Sequence, residues 1–352
     1  MKLIEQEKKS LKIIFIIPFW YEENRTKIAC SPFLIPQIND ISKLITKHQV
    51  VYLESGLGIR KIYDNCIKLS KLLFNNDKDN VIYSMYGSFH GFLVWLVLGR
   101  KFKIINSFGG SDILGSTNTG ILWKLKDLIT KKISLVVAKN ISHIIVKSEN
   151  LKINLSDRVV TPISVIPNGV NLNIFTVTNS KQKLRNKFYF LDNEFIILFN
   201  LRRKNATTET VKNLKLAEKV VSKLNTIVDS SVRLVFISDL THKEINLMFN
   251  AADCLILTSF HEGSPNIIKE AMATNLPIVS VNCGDVKERL QYTKNSFVSH
   301  HYDEFELANY CKQVFVNSQK SNGREELIRQ GIDNNSIAKE IIHVFNSLKN
   351  DK

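Results

Sequence analysis

Two glutamates flank a stretch of the chain whose residue types favour ligand binding. Glu262 is followed by Gly263, Ser264 and Pro265, and Glu270 lies eight residues further on. A carboxylate can accept two hydroxyl hydrogens in a fork, which suits the diol of a ribose or a hexose. A glycine lets backbone approach a ligand closely, and the free N–H groups at a helix start can hold a phosphate. Two such acceptors around an anion site predict a pocket for a sugar nucleotide.

The elements that must position these glutamates are predicted to be a strand, a loop, a helix and a second strand. Residues 255–257 and 278–281 are short apolar runs of strand length. Ser264 is the predicted N-cap of the helix, with Pro265 at its first position, and Asn275 is predicted to end it. Glu262 then lies at the carboxyl end of a strand, where open α/β sheets bind ligands. An ordinary βαβ unit with a solvated glutamate on its helix remains the alternative.

The longer stretch from residue 259 to residue 288 resembles the donor-binding signature of retaining family 4 glycosyltransferases, which have the GT-B fold. That resemblance implies an α/β protein of two Rossmann-like domains that face each other across a cleft. The residues that carry it are Ser259, Glu262-Gly263-Ser264-Pro265, Glu270-Ala271-Met272-Ala273, Gly284-Asp285 and Glu288.

The resemblance also implies roles for individual residues. Glu262 would orient hydroxyls of the donor sugar, and Glu270 would hold the ribose. The family places an Arg and a Lys on the donor diphosphate: Lys212 matches the Lys, while Arg202 and Arg203 are alternatives for the Arg. Basic groups are poor partners for the dipole at a helix start, which indicates that they serve an anion. The implied donor-binding residues are Arg202, Arg203, Lys212, Glu262, Gly263, Ser264, Pro265, Asn266 and Glu270.

Two residues in the first half of the chain are further candidates. Asp112 follows Gly109-Gly110, where the family often has His-Gly-x-Asp, and here Gly109 stands in the place of the histidine. Asp112 either caps the following segment or binds a sugar hydroxyl, and with Glu262 it forms the predicted catalytic pair. His90 follows another predicted strand and is a candidate sugar or phosphate contact, although a lone histidine near a helix start is more often structural.

No metal or cofactor is expected, because the nucleoside diphosphate sugar is a co-substrate. Asp77-Lys78-Asp79 looks like the metal-binding acidic pair of another glycosyltransferase fold. It lies in the hydrophilic stretch 75–80, however, which is predicted to be a turn before a strand.

The domain boundary is predicted from a second matching segment. Residues 167–171, Pro-Asn-Gly-Val-Asn, resemble the family's Pro-Asn-Gly-Val-Asp at the end of the N-terminal domain. We predict an acceptor-binding domain over residues 1–178 and a donor-binding domain over residues 179–352. Residues 337–348 are predicted to be helical, and the last helices of GT-B enzymes usually cross back to the first domain.

Charge is the most unusual property of the composition. The net charge is +15, of which +11 lies in residues 1–180 and +4 in residues 181–352. A basic surface favours anionic partners such as membrane headgroups. Residues 121–139 form a predicted basic amphipathic helix, which fits either a membrane surface or an ordinary core helix with a solvated face. We favour the core helix, with the apolar positions facing inward.

Composition and cysteine usage bound the location of the protein. Hydrophobic residues make up 44% of the chain, no apolar run reaches membrane-spanning length, and the first ten residues are mostly charged or polar. An odd number of unpaired cysteines fits a reducing compartment. We expect a cytoplasmic protein that is peripheral on the inner membrane face.

The residues predict a donor pocket, and the family resemblance implies a retaining, metal-independent glycosyltransferase of the hexosyltransferase type. Its partners would be a nucleoside diphosphate sugar and a glycan or lipid-linked acceptor, in cell-surface polysaccharide or lipid-linked glycan synthesis. A GT-B sugar-nucleotide epimerase would keep the same donor carboxylates and is the first alternative. A basic nucleic-acid-binding protein is the second, but it would need aromatic–basic interleaving on one face, which the sequence lacks.

Overall fold

The computed structural model describes residues 12–21, 28–31, 33–115, 121–201 and 206–350. They form two compact units, here called unit 1 and unit 2. Unit 1 comprises the residues up to Asn168 together with those from Asn334 onward, and unit 2 comprises Gly169–Asp333. Each unit is built on a parallel sheet, as the sequence predicted.

The sheet of unit 1 is buried on both faces. Its order is β2-β1-β4-β5-β6-β7, with β3 also paired to β1, and all pairs except β1 with β2 are parallel. Ile13 and Phe15 of β1 enter one apolar layer, while Ile14 and Ile16 enter the other, which explains the continuous apolar run. The strands are β1 Lys12–Tyr21, β2 Ile28–Ala29, β3 Lys47–Glu54, β4 Val81–Met85, β5 Lys103–Ser107, β6 His143–Val146 and β7 Ile163–Val165.

Helices cover both faces of that sheet. The layer beneath Ile13 contains side chains of α1 and α15, and the opposite layer contains side chains of α2, α3, α5 and α6. The helices described in unit 1 are α1 Leu34–Ser42, α2 Ile59–Asn75, α3 Ser88–Leu98, α4 Ser111–Leu114, α5 Ile121–Asn140, α6 Glu149–Ser156 and α15 Asn334–Asn350.

Unit 2 has a five-stranded parallel sheet in the order β12-β11-β10-β8-β9. Its strands are β8 Glu194–Asn200, β9 Ser231–Ile237, β10 Cys254–Leu257, β11 Ile278–Val281 and β12 Phe297–Ser299. Its described helices are α7 Lys181–Lys187, α8 Ala206–Lys212, α9 Leu214–Leu224, α10 His242–Ala251, α11 Asn266–Ala273, α12 Val286–Leu290, α13 Glu304–Asn317 and α14 Gly323–Arg329.

The two units divide the chain between Asn168 and Gly169, earlier than the predicted boundary at residue 178. Residues 169–178 pack within unit 2: the Val170 amide donates to the Ile332 carbonyl at 3.0 Å, and the Thr176 amide donates to Asn246 Oδ1 at 2.9 Å. The sequence motif marks the end of the N-terminal domain but does not show which unit those next residues contact. The last helix, α15, belongs to unit 1, where Phe345 packs edge-on against Tyr83.

Helix α5 differs from the predicted core helix. Leu125, Leu128 and Ile129 are 53%, 50% and 50% exposed, whereas Ser134 is 2% exposed. The prediction that the apolar positions face inward is therefore wrong for these three positions, and Val136 in the second half of the helix is 40% exposed as well. An apolar stripe shows which side chains share a face, but it does not show whether another element covers that face. No described helix is long and apolar enough to cross a membrane.

Candidate functional site

In unit 2, the turn after α8 and the loop after β10 are fastened together. The Thr258 hydroxyl donates to the carbonyls of Lys212 and Asn213 at 2.9 and 3.0 Å, and the Phe260 amide donates to the Val211 carbonyl at 3.0 Å. These bonds hold Lys212 beside Glu262, and the two side chains form an ion pair. Two residues predicted to bind different parts of a donor thus form one polar centre beyond the carboxyl end of β10.

The loop after β10 also contacts the turn after β11. Gly284 has a φ of +61°, and a Cβ placed on it would lie 2.7 Å from the Gly263 carbonyl oxygen. A side chain at position 284 would collide with this backbone, so the approach of the two segments requires glycine there. The loop that carries Glu262 and Gly263 is thereby packed against the turn that carries Asp285.

Ser264 does not cap helix α11 as predicted. The helix begins at Asn266, Pro265 is its N-cap residue, and no side-chain hydrogen bond caps it. The Ser264 hydroxyl instead donates to Asp285 Oδ2 at 2.7 Å. A hydrogen bond to an ionised carboxylate is stronger than one between neutral groups, which favours Asp285 as the partner of this hydroxyl. The predicted end of the helix is confirmed, because Asn275 adopts the left-handed conformation with a φ of 58°.

Glu270 lies inside helix α11 and is 6% exposed. His242, the first residue of α10, places its Nε2 3.8 Å from Glu270 Oε1. Helix α10 is fixed there by a capping box between Thr241 and Glu244. His242 was not among the predicted site residues, since nothing in its local sequence connects it to the glutamate.

Lys269 and Arg289 are two further charged residues that the sequence reasoning missed. Lys269 is buried and donates to the Ser264 hydroxyl at 3.0 Å, while Arg289 donates from Nε to Asp285 Oδ2 at 2.9 Å. Burial lowers the pKa of Lys269 to about 8, and the Asp285 carboxylate opposes that shift. The sequence did contain a signal, because two charged residues, Lys269 and Glu270, stand between the apolar pairs Ile267-Ile268 and Ala271-Met272.

In unit 1, Asp112 ties two loops together. Its Oδ2 accepts hydrogen bonds from the amides of Gly87 at 2.9 Å and Gly109 at 3.1 Å, joining the segments after β4 and β5. Burial raises the pKa of Asp112, and these two amide hydrogen bonds oppose the rise. Tyr86, next to Gly87, has a φ of 75°, a strained conformation of the kind that clusters at functional sites. A sugar contact by Asp112 stays a prediction.

His90 lies in the first turn of α3, and one of its ring nitrogens is hydrogen-bonded to the Ile16 backbone. Burial lowers the pKa of His90 to about 4. The ring is therefore neutral near pH 7, so it can meet a sugar hydroxyl but brings no positive charge to a phosphate.

The predicted residues that the structure describes thus lie in two groups. Lys212, Glu262, Gly263, Ser264, Pro265, Asn266 and Glu270 lie together in unit 2, and Asp112 and His90 lie in unit 1. Arg202 and Arg203 fall outside the described residues, and their role stays a prediction.

The acidic pair Asp77 and Asp79 lies in a turn, as predicted. The Asn80 amide donates to the Asp77 carbonyl at 3.1 Å, and both aspartates are exposed. Over the part of the chain that the structure describes, no three His, Cys, Asp or Glu side chains come together as metal ligands would.

Most residues of the unit 2 site lie within a stretch that matches a family model. Residues 213–317 match the family model described as Glycosyl transferases group 1. This group 1 domain contains Glu262, Gly263, Ser264 and Glu270, and it begins directly after Lys212. The comparison with curated proteins gave no match.

Solved structures resemble almost the whole chain. A sucrose-phosphate synthase from Thermosynechococcus elongatus is 13% identical, with 96% of this chain and 99% of that chain covered and a TM-score of 0.71. HepE from Anabaena, in complex with UDP, is 16% identical, with 96% and 100% covered and a TM-score of 0.72. An α,α-trehalose 6-phosphate synthase from Burkholderia multivorans is 10% identical, with 96% and 97% covered and a TM-score of 0.66. The predicted GT-B fold class is confirmed.

Proposed function

We propose that this protein is a glycosyltransferase that moves a sugar from a nucleoside diphosphate sugar to an acceptor hydroxyl, with retention of the anomeric configuration. The observation that carries the proposal is the joined pair Lys212–Glu262, set at the edge of a group 1 domain with Glu270 buried in its helix α11. The Lys212 ammonium suits a diphosphate, and the carboxylates of Glu262 and Glu270 suit sugar hydroxyls.

The donor proposed for first tests is a uridine diphosphate sugar. The HepE structures, which share this fold, hold UDP, UDP with glucose, and UDP-glucose. In this chain Lys212 would face the diphosphate, Glu270 the ribose, and Glu262 the hydroxyls of the transferred sugar. Gly263 and the loop up to Asn266 would bring backbone N–H groups close to the phosphates.

The proposed reaction needs no covalent intermediate with the protein. The bond between the sugar C1 and the diphosphate oxygen breaks, and a bond from C1 to the acceptor oxygen forms on the same face. The acceptor proton passes to the leaving diphosphate oxygen. Lys212 stabilises the negative charge that grows on that oxygen, and Glu262 holds the sugar while C1 becomes positive. For Asp112, a hydrogen bond from a sugar hydroxyl stays a prediction.

Turnover with an acceptor tests the proposal and separates it from its alternatives. Nucleotide sugars would first be screened for thermal stabilisation, because a bound ligand raises apparent stability by mass action. The stabilising donor is then incubated with glycan and polyprenyl-linked acceptors. Free nucleoside diphosphate together with a glycosylated product supports a transferase, whereas an epimerised nucleotide sugar without acceptor supports the epimerase. If no nucleotide sugar stabilises the protein, the proposal is wrong.

We expect the activity to survive EDTA. In the proposed site, positive charge for the diphosphate comes from Lys212 and from backbone N–H groups, so a divalent ion is not required for that role. The measurement is the initial rate with and without EDTA, with Mn²⁺ or Mg²⁺ added back. A complete loss of rate that either ion restores would overturn the metal-free proposal and return attention to Asp77 and Asp79.

We further propose that unit 1 contacts an anionic membrane surface through α5, which would give access to a lipid-linked acceptor on the inner leaflet. Helix α5 exposes Trp123 and Leu125 together with the lysines at 124, 126, 131 and 132. Apolar side chains can enter the headgroup region, and each lysine near an anionic surface contributes about 1 kcal/mol.

We therefore expect the protein to sediment with anionic vesicles at low salt, and to lose this binding at high salt because the attraction is screened. Replacing Lys124, Lys126, Lys131 and Lys132 by Gln should abolish the binding. The matched control replaces four exposed lysines of unit 2, which changes the net charge equally: Lys215, Lys243, Lys287 and Lys312. Protein that stays in the supernatant with anionic vesicles at low salt, or a control that binds as weakly as the α5 variant, would contradict the role of α5.

A further inference from the structure

Lys269 is a buried lysine that the proposed donor contacts do not use. It is 1% exposed, on helix α11, directly before Glu270. Taking an ammonium out of water is costly unless other charges and hydrogen bonds compensate, and an apolar residue of the same volume often costs less. The groups around Lys269 therefore have to compensate for the burial of its charge.

Its ammonium is the first member of a chain of hydrogen bonds across two loops. Lys269 Nζ donates to Ser264 Oγ at 3.0 Å, and the Ser264 hydroxyl donates to Asp285 Oδ2 at 2.7 Å. Arg289 Nε donates to the same oxygen at 2.9 Å, and Arg289 Nη1 donates to Gln330 Oε1 at 2.9 Å. The chain runs from helix α11 through the loop after β10 to the turn after β11 and on to the segment after α14.

This chain of bonds fixes the direction of the Ser264 hydroxyl. Since Lys269 can only donate, the serine oxygen must accept from it and give its own hydrogen to Asp285. Ser264 lies two residues after Glu262 and one after Gly263, whose carbonyl oxygen is so near the turn at Gly284 that a Cβ there would lie 2.7 Å from it. The bond to Ser264 therefore holds the backbone that carries Glu262 in place against that turn.

Charged groups lie on the helix of Lys269 and on elements near it, and three of them act on the pKa of its ammonium. Asp285 and Arg289 act from the β11–α12 side, and Glu270 acts from its own helix. Helix α14, which packs against α11, contributes Glu326, which is paired with Arg329. Helix α10 contributes His242, beside Glu270.

We propose that Lys269 is a positioning residue whose ammonium, acting through Ser264 and Asp285, holds the loop 262–265 in the conformation that binds the donor. The inference rests on the proposed function, since it deepens the donor site of that glycosyltransferase. Donor affinity then depends on the charge of a side chain that does not touch the donor.

The pH dependence gives this role a signature. The pKa of Lys269 falls from its usual 10.5 to about 8, chiefly through burial. Between about pH 8 and 10.5 the unfolded chain keeps a proton that the folded chain releases, so this group makes folding more favourable as the pH rises. Donor affinity should fall over the start of the same range, because the neutral amine holds Ser264 less firmly. Stability and affinity thus move in opposite directions, which a merely structural lysine would not produce.

The experiment measures UDP and UDP-glucose affinity by calorimetry from pH 7 to pH 9, with the melting temperature at each pH. It uses the full chain and the variants Lys269→Met, Lys269→Arg and Ser264→Ala. At pH 7, Lys269→Met should bind UDP roughly tenfold more weakly, the effect of one hydrogen bond to a charged group. The UDP affinity of this variant should no longer change near pH 8. Its melting temperature at pH 7 should be no lower than that of the wild type. Lys269→Arg keeps the charge throughout the range, so its affinity should also lack the step. The exposed neighbour Lys287→Met is the control and should behave like the wild type.

The variant Ser264→Ala tests whether Lys269 acts on the loop through the Ser264 hydroxyl. If Lys269 acts through Ser264, the double variant Lys269→Met/Ser264→Ala should bind no more weakly than the worse single variant. Wild-type affinity in Lys269→Met, or additive losses in the double variant, would overturn the inference. If Lys269→Met does not fold, the wild type decides, since an affinity that stays constant from pH 7 to pH 9 contradicts the role. A wild type that binds neither nucleotide at any pH would instead overturn the proposed donor.

Discussion

Glu262→Gln is expected to lower kcat by roughly 10²- to 10³-fold, the usual cost of removing one group that acts in the transition state. The carboxylate is paired with Lys212 and is proposed to hold hydroxyls of the sugar as C1 acquires positive charge. Glutamine has nearly the same shape, so the loop should keep its conformation. It accepts fewer hydrogen bonds, however, and carries no charge.

The loss should appear in kcat rather than in the affinity for UDP, because UDP lacks the sugar that Glu262 contacts. The measurements are steady-state kinetics with the donor found by screening, and calorimetry with UDP. Glu218→Gln, which removes an exposed carboxylate from α9, is the matched control. An unchanged kcat in Glu262→Gln would remove Glu262 from the catalytic pair. A large loss of UDP affinity would show that it acts mainly by holding Lys212.

Lys212→Met completes this test. If the Lys212–Glu262 pair works as a unit on the diphosphate and the sugar, the losses in kcat/KM from the two single substitutions should not add in the double variant. Additive losses would mean that the ion pair is incidental to the chemistry, and that each residue contacts the donor independently.

The parts of the fold that the sequence predicted are those governed by local rules. Residues 255–257 and 278–281 lie in strands β10 and β11, because a parallel strand covered on both faces reads as an unbroken apolar run. Asn275 ends α11 because a left-handed residue followed closely by proline is a local signal. Such rules involve only neighbours in the chain.

The parts that the sequence reasoning missed depend on partners far away in the chain. Ser264 has the residue type of an N-cap, but its hydroxyl bonds Asp285, which lies 21 positions later. His242 reaches Glu270 from another helix. Helix α5 has a clear apolar stripe, yet the stripe residues Leu125, Leu128, Ile129 and Val136 are exposed. The residue types at these positions were informative, but the identity of each partner was not encoded near them.

Glu270→Ala is expected to weaken UDP binding by about 2–3 kcal/mol, or about 30- to 150-fold, because ribose hydroxyls would lose a charged acceptor in a buried place. Glu270 is 6% exposed and sits inside helix α11, so its carboxylate can turn little and presents a fixed fork. His242 lies 3.8 Å from one of its oxygens and can help to keep that orientation.

A comparison of UDP with 2′-deoxy-UDP shows whether the ribose is the group concerned. The wild type should prefer UDP over the deoxy nucleotide at least tenfold, whereas Glu270→Ala should bind both alike, since the partner of the 2′-hydroxyl is gone in either case. Glu325→Ala, an exposed glutamate on α14, should keep the wild-type preference. Unchanged UDP affinity in Glu270→Ala would contradict the assignment. A lowered affinity with the preference for UDP retained would place Glu270 beside the nucleotide but not on the 2′-hydroxyl, since only a direct partner of that hydroxyl can abolish the difference between the two nucleotides.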